Sequence, residues 1–140
     1  MYTFIAGNSV FLASYGHVIN RTESKDLIFP FVLDNHGHDY NPATGVFTCR
    51  ISGSYWFSVG LGKFDVGPKQ PAFRVFVNNA KVFEVSALNS NNTGQNSMSG
   101  SFGFYLTKGD RVFVGDCGYP ETIAAYWNTY FSGALIRPDA

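Results

Sequence analysis

The sequence predicts an all-β domain, a sandwich of two antiparallel sheets, and three observations carry that prediction. Short runs alternate apolar with polar residues at a period of two, and Gly, Asn and Pro punctuate them. No segment sustains the 3.6-residue apolar period of an amphipathic helix. The 140 residues include 14 Phe, 8 Tyr and 2 Trp, so aromatic packing dominates folding, and the length suits one domain that buries roughly two-thirds of its extended-chain surface.

Val10 to Ser14 reads as the opening strand. A short pair is expected around Leu27 to Asp34, where Pro30 removes a ladder donor and so places the segment at an edge or bulge. In the turn Asn41-Pro42-Ala43-Thr44-Gly45, Pro42 fixes one dihedral and Gly45 can take the left-handed conformation. Val46 to Cys49 leads into Tyr55 to Leu61, the strongest strand. There Tyr55, Phe57, Val59 and Leu61 alternate with Ser54, Trp56, Ser58 and Gly60, which makes one face apolar, and Gly53 permits close backbone approach just before it. Phe73 to Val77 and Val82 to Ala87 form a hairpin across Asn78-Asn79-Ala80-Lys81, whose Asn residues tolerate positive φ. Beyond the loop Leu88 to Gln95 come Ser97 to Leu106, Arg111 to Asp116 and Thr129 to Ile136. Ser97, Ser99 and Ser101 mark a polar sheet face, and Phe102, Phe104 and Leu106 read as core.

Phe29, Asn35, Tyr40, Phe47, Gly53, Tyr55 and Phe57 form a spaced ladder. This ladder resembles the signature of the globular-head domain of complement component C1q, a relative in fold of the tumour necrosis factor ligands. Val59 departs from the family pattern, which usually has a further aromatic there. Ser9-Val10-Phe11-Leu12-Ala13-Ser14 is similar to the family's first strand, Lys108-Gly109-Asp110-Arg111-Val112 to the turn into a late strand, and Phe131-Ser132-Gly133-Ala134-Leu135 to the last strand. The resemblance implies a ten-strand jelly roll with neighbouring termini that assembles as a homotrimer. On this reading residues 1–8 are an N-terminal extension, 9–137 the globular head and 138–140 a C-terminal tail. The sequence does not contain the Gly-every-third-residue stalk of many relatives; if one exists, it lies outside this chain.

Composition excludes several classes of function. Ten basic residues balance ten acidic ones without a basic run, which argues against nucleic acid as a partner. No stretch approaches the ~20 apolar residues that span a bilayer, and no basic amphipathic helix is present, so membrane insertion is not expected. Charged residues are only 14% of the chain, which suggests surface covered by another subunit. Met1 to Asn8 lacks the basic start and apolar centre of a secretion signal. The resemblance nevertheless implies a secreted, extracellular protein, and the sequons Asn20-Arg21-Thr22 and Asn91-Asn92-Thr93 agree with it. Two cysteines, Cys49 and Cys117, are too few to staple a scaffold; Cys49 shares a strand face with Phe47 and Ile51, and whether the two pair is left open.

No catalytic constellation is legible. The histidines are His17, His36 and His38, no Ser lies in a nucleophile elbow, and Gly60-Leu61-Gly62 lacks the rest of a nucleotide motif, so no enzyme activity is expected. His36, His38 and Asp39 could offer nitrogen and oxygen ligands to zinc or copper, against the alternative of a solvated loop. No cofactor is required. Calcium is admissible, since many C1q heads bind it near the trimer apex, but between Glu84 and Asp110 this chain has no carboxylate, only amides such as Asn89, Asn91, Asn92, Gln95 and Asn96.

The candidate ligand-binding residues are Tyr119, Glu121, Tyr126, Trp127 and Asn128, because aromatic faces stack on sugar rings while Glu121 or Asn128 could fix hydroxyls. The alternative is that Tyr126 and Trp127 pack against a sister subunit. The expected function is that of a lectin-like pattern-recognition protein of innate immunity that binds microbial surfaces or acidic carbohydrate. The alternatives are a cytokine-like ligand for a cell-surface receptor and a trimerisation head of the extracellular matrix.

Overall fold

The alternation read at Tyr55 to Leu61 belongs to the longest stretch of sheet. In a computed structural model, which describes residues 8–15, 27–63, 72–86, 96–115, 117 and 129–140, the described residues form ten strands and no helix. They are β1 (Val10–Ser14), β2 (Phe31–His36), β3 (Tyr40–Asn41), β4 (Val46–Thr48), β5 (Gly53–Lys63), β6 (Ala72–Val77), β7 (Ala80–Ser86), β8 (Asn96–Leu106), β9 (Arg111–Gly115) and β10 (Tyr130–Pro138). Two five-stranded antiparallel sheets, ordered β2-β1-β10-β5-β8 and β3-β4-β9-β6-β7, pack face to face as a jelly roll. Ser9 and Leu135 are joined by a backbone hydrogen bond, which sets the two terminal strands side by side.

Aromatic rings fill the space between the sheets. Phe11 stacks on Tyr40 at 4.9 Å and meets Phe131 edge to face at 4.9 Å. Phe47 packs edge to face on both Tyr55 and Phe57. Gly133 makes this density possible, because an added Cβ would sit 2.6 Å from the Phe57 ring and 2.7 Å from that of Phe11.

The spaced ladder is a set of physical contacts. The Tyr40 hydroxyl donates to the Phe29 carbonyl at 2.8 Å and accepts the Phe29 N–H at 3.1 Å, so a buried stretch without a strand keeps its backbone satisfied. Asn35 does the same for Tyr40, donating to its carbonyl at 2.7 Å and accepting its N–H at 3.2 Å across the Gly37-His38 turn. Gly45 takes φ +79 beneath the Leu27 carbonyl, as the turn requires, and at Gly53 any Cβ would run into the Arg137 carbonyl.

Four local expectations are corrected. The pair around Leu27 to Asp34 is a single edge strand, β2, beginning after Pro30; Leu27 instead donates its N–H to Val114, and Phe29 is held by Tyr40. The β6–β7 hairpin turns through Asn78-Asn79 alone, with Asn78 at φ +55, so β7 begins at Ala80. The two-residue β3 was not expected; it is too short to show periodicity and is set by pairing Tyr40 with Phe47. β10 runs on past Ile136 to Pro138 along Gly53. Cys49 and Cys117 are both buried and unbridged.

Candidate functional site

Tyr119, Glu121, Tyr126, Trp127 and Asn128 lie outside the described residues, as do Asn89, Asn91, Asn92 and Gln95. The strand residues that bound these segments are described. Ser14 lies opposite Tyr130, Tyr130 opposite Gly60, Lys63 opposite Asn96, Ala72 opposite Ser86, and Arg74 opposite Gly115. The strand ends flanking the candidate recognition segments therefore share one end of the sandwich, away from Asn8 and Pro138.

The other end holds the candidate metal ligands. His36 and His38 are exposed, and Asp39 is committed: one oxygen accepts the Arg50 Nε–H at 2.9 Å and the other the Ser9 hydroxyl at 2.7 Å. Arg50 also donates to the Asn8 carbonyl at 2.7 Å, so the three residues clasp the start of β1 to the β2–β3 turn. Among the described residues no group of three His, Cys, Asp or Glu could hold a metal ion, which does not fit His36, His38 and Asp39 as a centre. Asp110 is occupied too, accepting from the Asn78 amide and the Thr107 N–H.

Buried titratable groups are held neutral. Desolvation pushes the Tyr40 and Tyr55 hydroxyls far above the ordinary phenol range and raises the Cys49 thiol. The Cys49 sulfur and the Tyr55 hydroxyl both approach the Ile51 carbonyl, at 3.2 and 2.6 Å. This is a packing arrangement, and burial disfavours the thiolate form of Cys49.

The conspicuous surface feature is apolar. All nine large hydrophobic side chains exposed among the described residues belong to strands of the first sheet or, for Ile28, to the lead-in to β2. Leu12, Phe31, Leu33, Trp56, Tyr105 and Ile136 are representative, with Trp56 49% exposed and Ile136 64%. A concavity of about 470 Å³ lined by Leu12, Ser14, Leu33 and Tyr130 lies within this face, and the buried Ser14 hydroxyl has no hydrogen-bond partner among the described residues. The ion pairs of Glu84 with Arg74 and Lys81 lie on the second sheet. Sequence reading missed this face because its members are far apart in the chain. One signal was present: Val-Phe-Leu-Ala in β1 has no polar alternation, as expected of a strand covered on both sides.

The C1q domain family model matches residues 10–136. The chain belongs to the C1q domain family. Complement C1q tumor necrosis factor-related protein 7 of Mus musculus is 29% identical over 121 residues, covering 84% of this chain and 40% of that protein. The chain thus spans about two-fifths of the length of that curated relative. The globular domain of zebrafish complement 1qA protein superposes with a TM-score of 0.73 at 19% identity, over 94% of this chain and 99% of that one. Murine APRIL at pH 5.0 superposes with a TM-score of 0.71 at 12% identity, over 92% and 99%. At such identities these two likenesses establish the fold. In this C1q domain the family ladder is the Phe29–Tyr40–Asn35 hydrogen-bond chain together with the Phe47, Tyr55 and Phe57 rings.

Proposed function

We propose that this C1q domain is a secreted, non-enzymatic recognition head that assembles as a homotrimer and binds microbial or acidic glycans through repeated surface sites. The observation that carries the reading is the confinement of exposed large apolar side chains, among the described residues, to the strands of the first sheet and the lead-in to β2. A contiguous apolar surface of this kind marks an interaction site, and a second copy of the same chain offers the complementary apolar surface.

Assembly matters for recognition through arithmetic. Three copies of a weak site on one rigid body bind a repetitive polysaccharide with an avidity of about 10² to 10⁴ over one site. Secretion is supported by the C1q relatives, and no helix among the described residues is long and apolar enough to cross a membrane. Calcium is not required by this reading.

The test is a glycan and microbial-polysaccharide array probed with the purified protein in calcium and again in chelator, with Trp127→Ala in parallel. Selective binding by the native protein is the expected result. Loss in Trp127→Ala with the solution mass unchanged assigns the sugar contact to that segment, and unchanged binding moves it elsewhere. Silence across the array overturns the glycan reading and turns the search to a protein receptor.

A further inference from the structure

The outer face of the second sheet is unlike that of the first. On β9, Val112 and Val114 are buried in the core, so Arg111 and Phe113 face outward. Phe113 stacks on Phe76, its cross-strand partner on β6, with centroids 5.4 Å apart and planes 10° from parallel. Beside this half-buried pair lies a cavity of about 160 Å³, lined by Arg111, Phe113, Thr44, Val46, Asn78 and Asn79. At ~30 Å³ per water it has the volume of about five waters, room for one small group rather than a chain.

The charges around this cavity are unequally committed. Arg74 and Lys81 both pair with Glu84, at 3.3 and 3.0 Å, and Asp110 is occupied by the Asn78 amide and the Thr107 N–H. The exposed Arg111 guanidinium has neither an ion-pair nor a hydrogen-bond partner among the described residues. Its main chain, in contrast, is pinned. The Asn78 side-chain oxygen accepts the Arg111 N–H at 3.0 Å, and the Arg111 carbonyl accepts the Asn78 N–H at 2.7 Å. An unpaired cation is thus held at its root beside an aromatic face and two small polar side chains, Thr44 and Asn79.

We propose that this cavity is a binding site for the carboxylate-bearing ring of an acidic sugar. The Arg111 fork matches a carboxylate with two parallel N–H···O bonds, a geometry that a lysine in its place would not give. Phe113 presents an apolar surface to the C–H face of the ring, and the Thr44 hydroxyl and Asn79 amide serve ring hydroxyls. The site rests on the glycan reading above and names its substrate class. It lies on the sheet opposite the apolar face, so assembly through the first sheet leaves three copies open.

The experiment is an NMR titration of isotope-labelled native protein with galacturonate and, separately, with neutral galactose. It is repeated in Arg111→Gln, which removes no side-chain hydrogen bond or ion pair made to another described residue. Galacturonate is expected to shift the amide signals of Arg111, Phe113 and Asn79, and galactose to bind at least about tenfold more weakly. Arg111→Gln should lose at least about tenfold in galacturonate affinity while its circular dichroism and solution mass stay native, and added salt should weaken native binding. Equal binding of the two sugars, or full affinity in Arg111→Gln, overturns the site. Array binding that survives Arg111→Gln leaves the glycan reading standing and removes this site alone. Silence both to galacturonate and on the array overturns both, and succinate binding as well as galacturonate overturns the assignment to a sugar.

Discussion

Replacing Trp56 with serine tests the apolar face without entering the core. Trp56 lies on β5 between the buried Tyr55 and Phe57, and its side chain points away from them, over Gly103 of β8. A Trp side chain removes roughly 150 to 250 Å² from water when fully buried, and Trp56 is 49% exposed, so about half of that area is left for a partner to cover. At ~25 cal/mol per Å² the remaining area contributes about 2 to 3 kcal/mol per copy. That is a factor of roughly 30 to 150 in an association constant for each copy that loses the ring. Sedimentation velocity over a wide concentration range reads the effect directly. The native protein should remain trimeric at concentrations where Trp56→Ser dissociates, whereas Lys81→Ala, on the second sheet, should assemble as the native chain does. A native protein that is monomeric throughout, or a Trp56→Ser trimer as tight as the native one, refutes the reasoning.

Three further outcomes follow from the interior. Gly133→Ala forces a Cβ against two buried rings and should cost about 2 to 3 kcal/mol, a melting shift of about 7 to 10 °C for a chain of this length, whereas at Gly103→Ala the tightest contact is the half-exposed Trp56 ring at 3.3 Å and the shift should be small; equal melting temperatures at one protein concentration would contradict the packing. Tyr40→Phe leaves the Phe29 N–H and C=O buried without partners and should lose about 1 to 3 kcal/mol in urea denaturation, and an unchanged midpoint would remove that clamp. Both cysteines should resist a thiol reagent at pH 8 in the folded protein and titrate as two thiols in denaturant; a thiol count of zero after unfolding would reveal a bridge.

Much of the fold was legible because its determinants are local. Period-two alternation placed β5, and Gly45 and Asn78 adopt the positive φ that their turns demand. The aromatic ladder pointed to the family, and the structure supplies its reason: Tyr40 and Asn35 stand in for missing backbone pairing, so a merely apolar residue at either position costs stability. What was hidden depends on partners distant in sequence. β3 exists only because Tyr40 meets Phe47, Asp39 is drawn from a metal hypothesis into a clasp with Arg50 and Ser9, and the apolar face assembles from β1, β2, β5, β8 and β10. The Arg111 cavity was unreadable for the same reason, since Thr44, Asn79 and Phe113 come together through the pairing of β9 with β4 and β6. Tyr126 and Trp127, the aromatic candidates for sugar stacking, were chosen on residue type alone and lie outside the described residues.

The measurement closest to the central claim is equilibrium binding of the native protein to a surface coated with acidic polysaccharide, set against binding of the free repeating unit in solution. A trimeric recognition head should hold the surface at least about a hundredfold more tightly than the free unit and lose that advantage in Trp56→Ser. Equal affinity for surface and free unit, or no binding to the polysaccharide at all, would contradict the account.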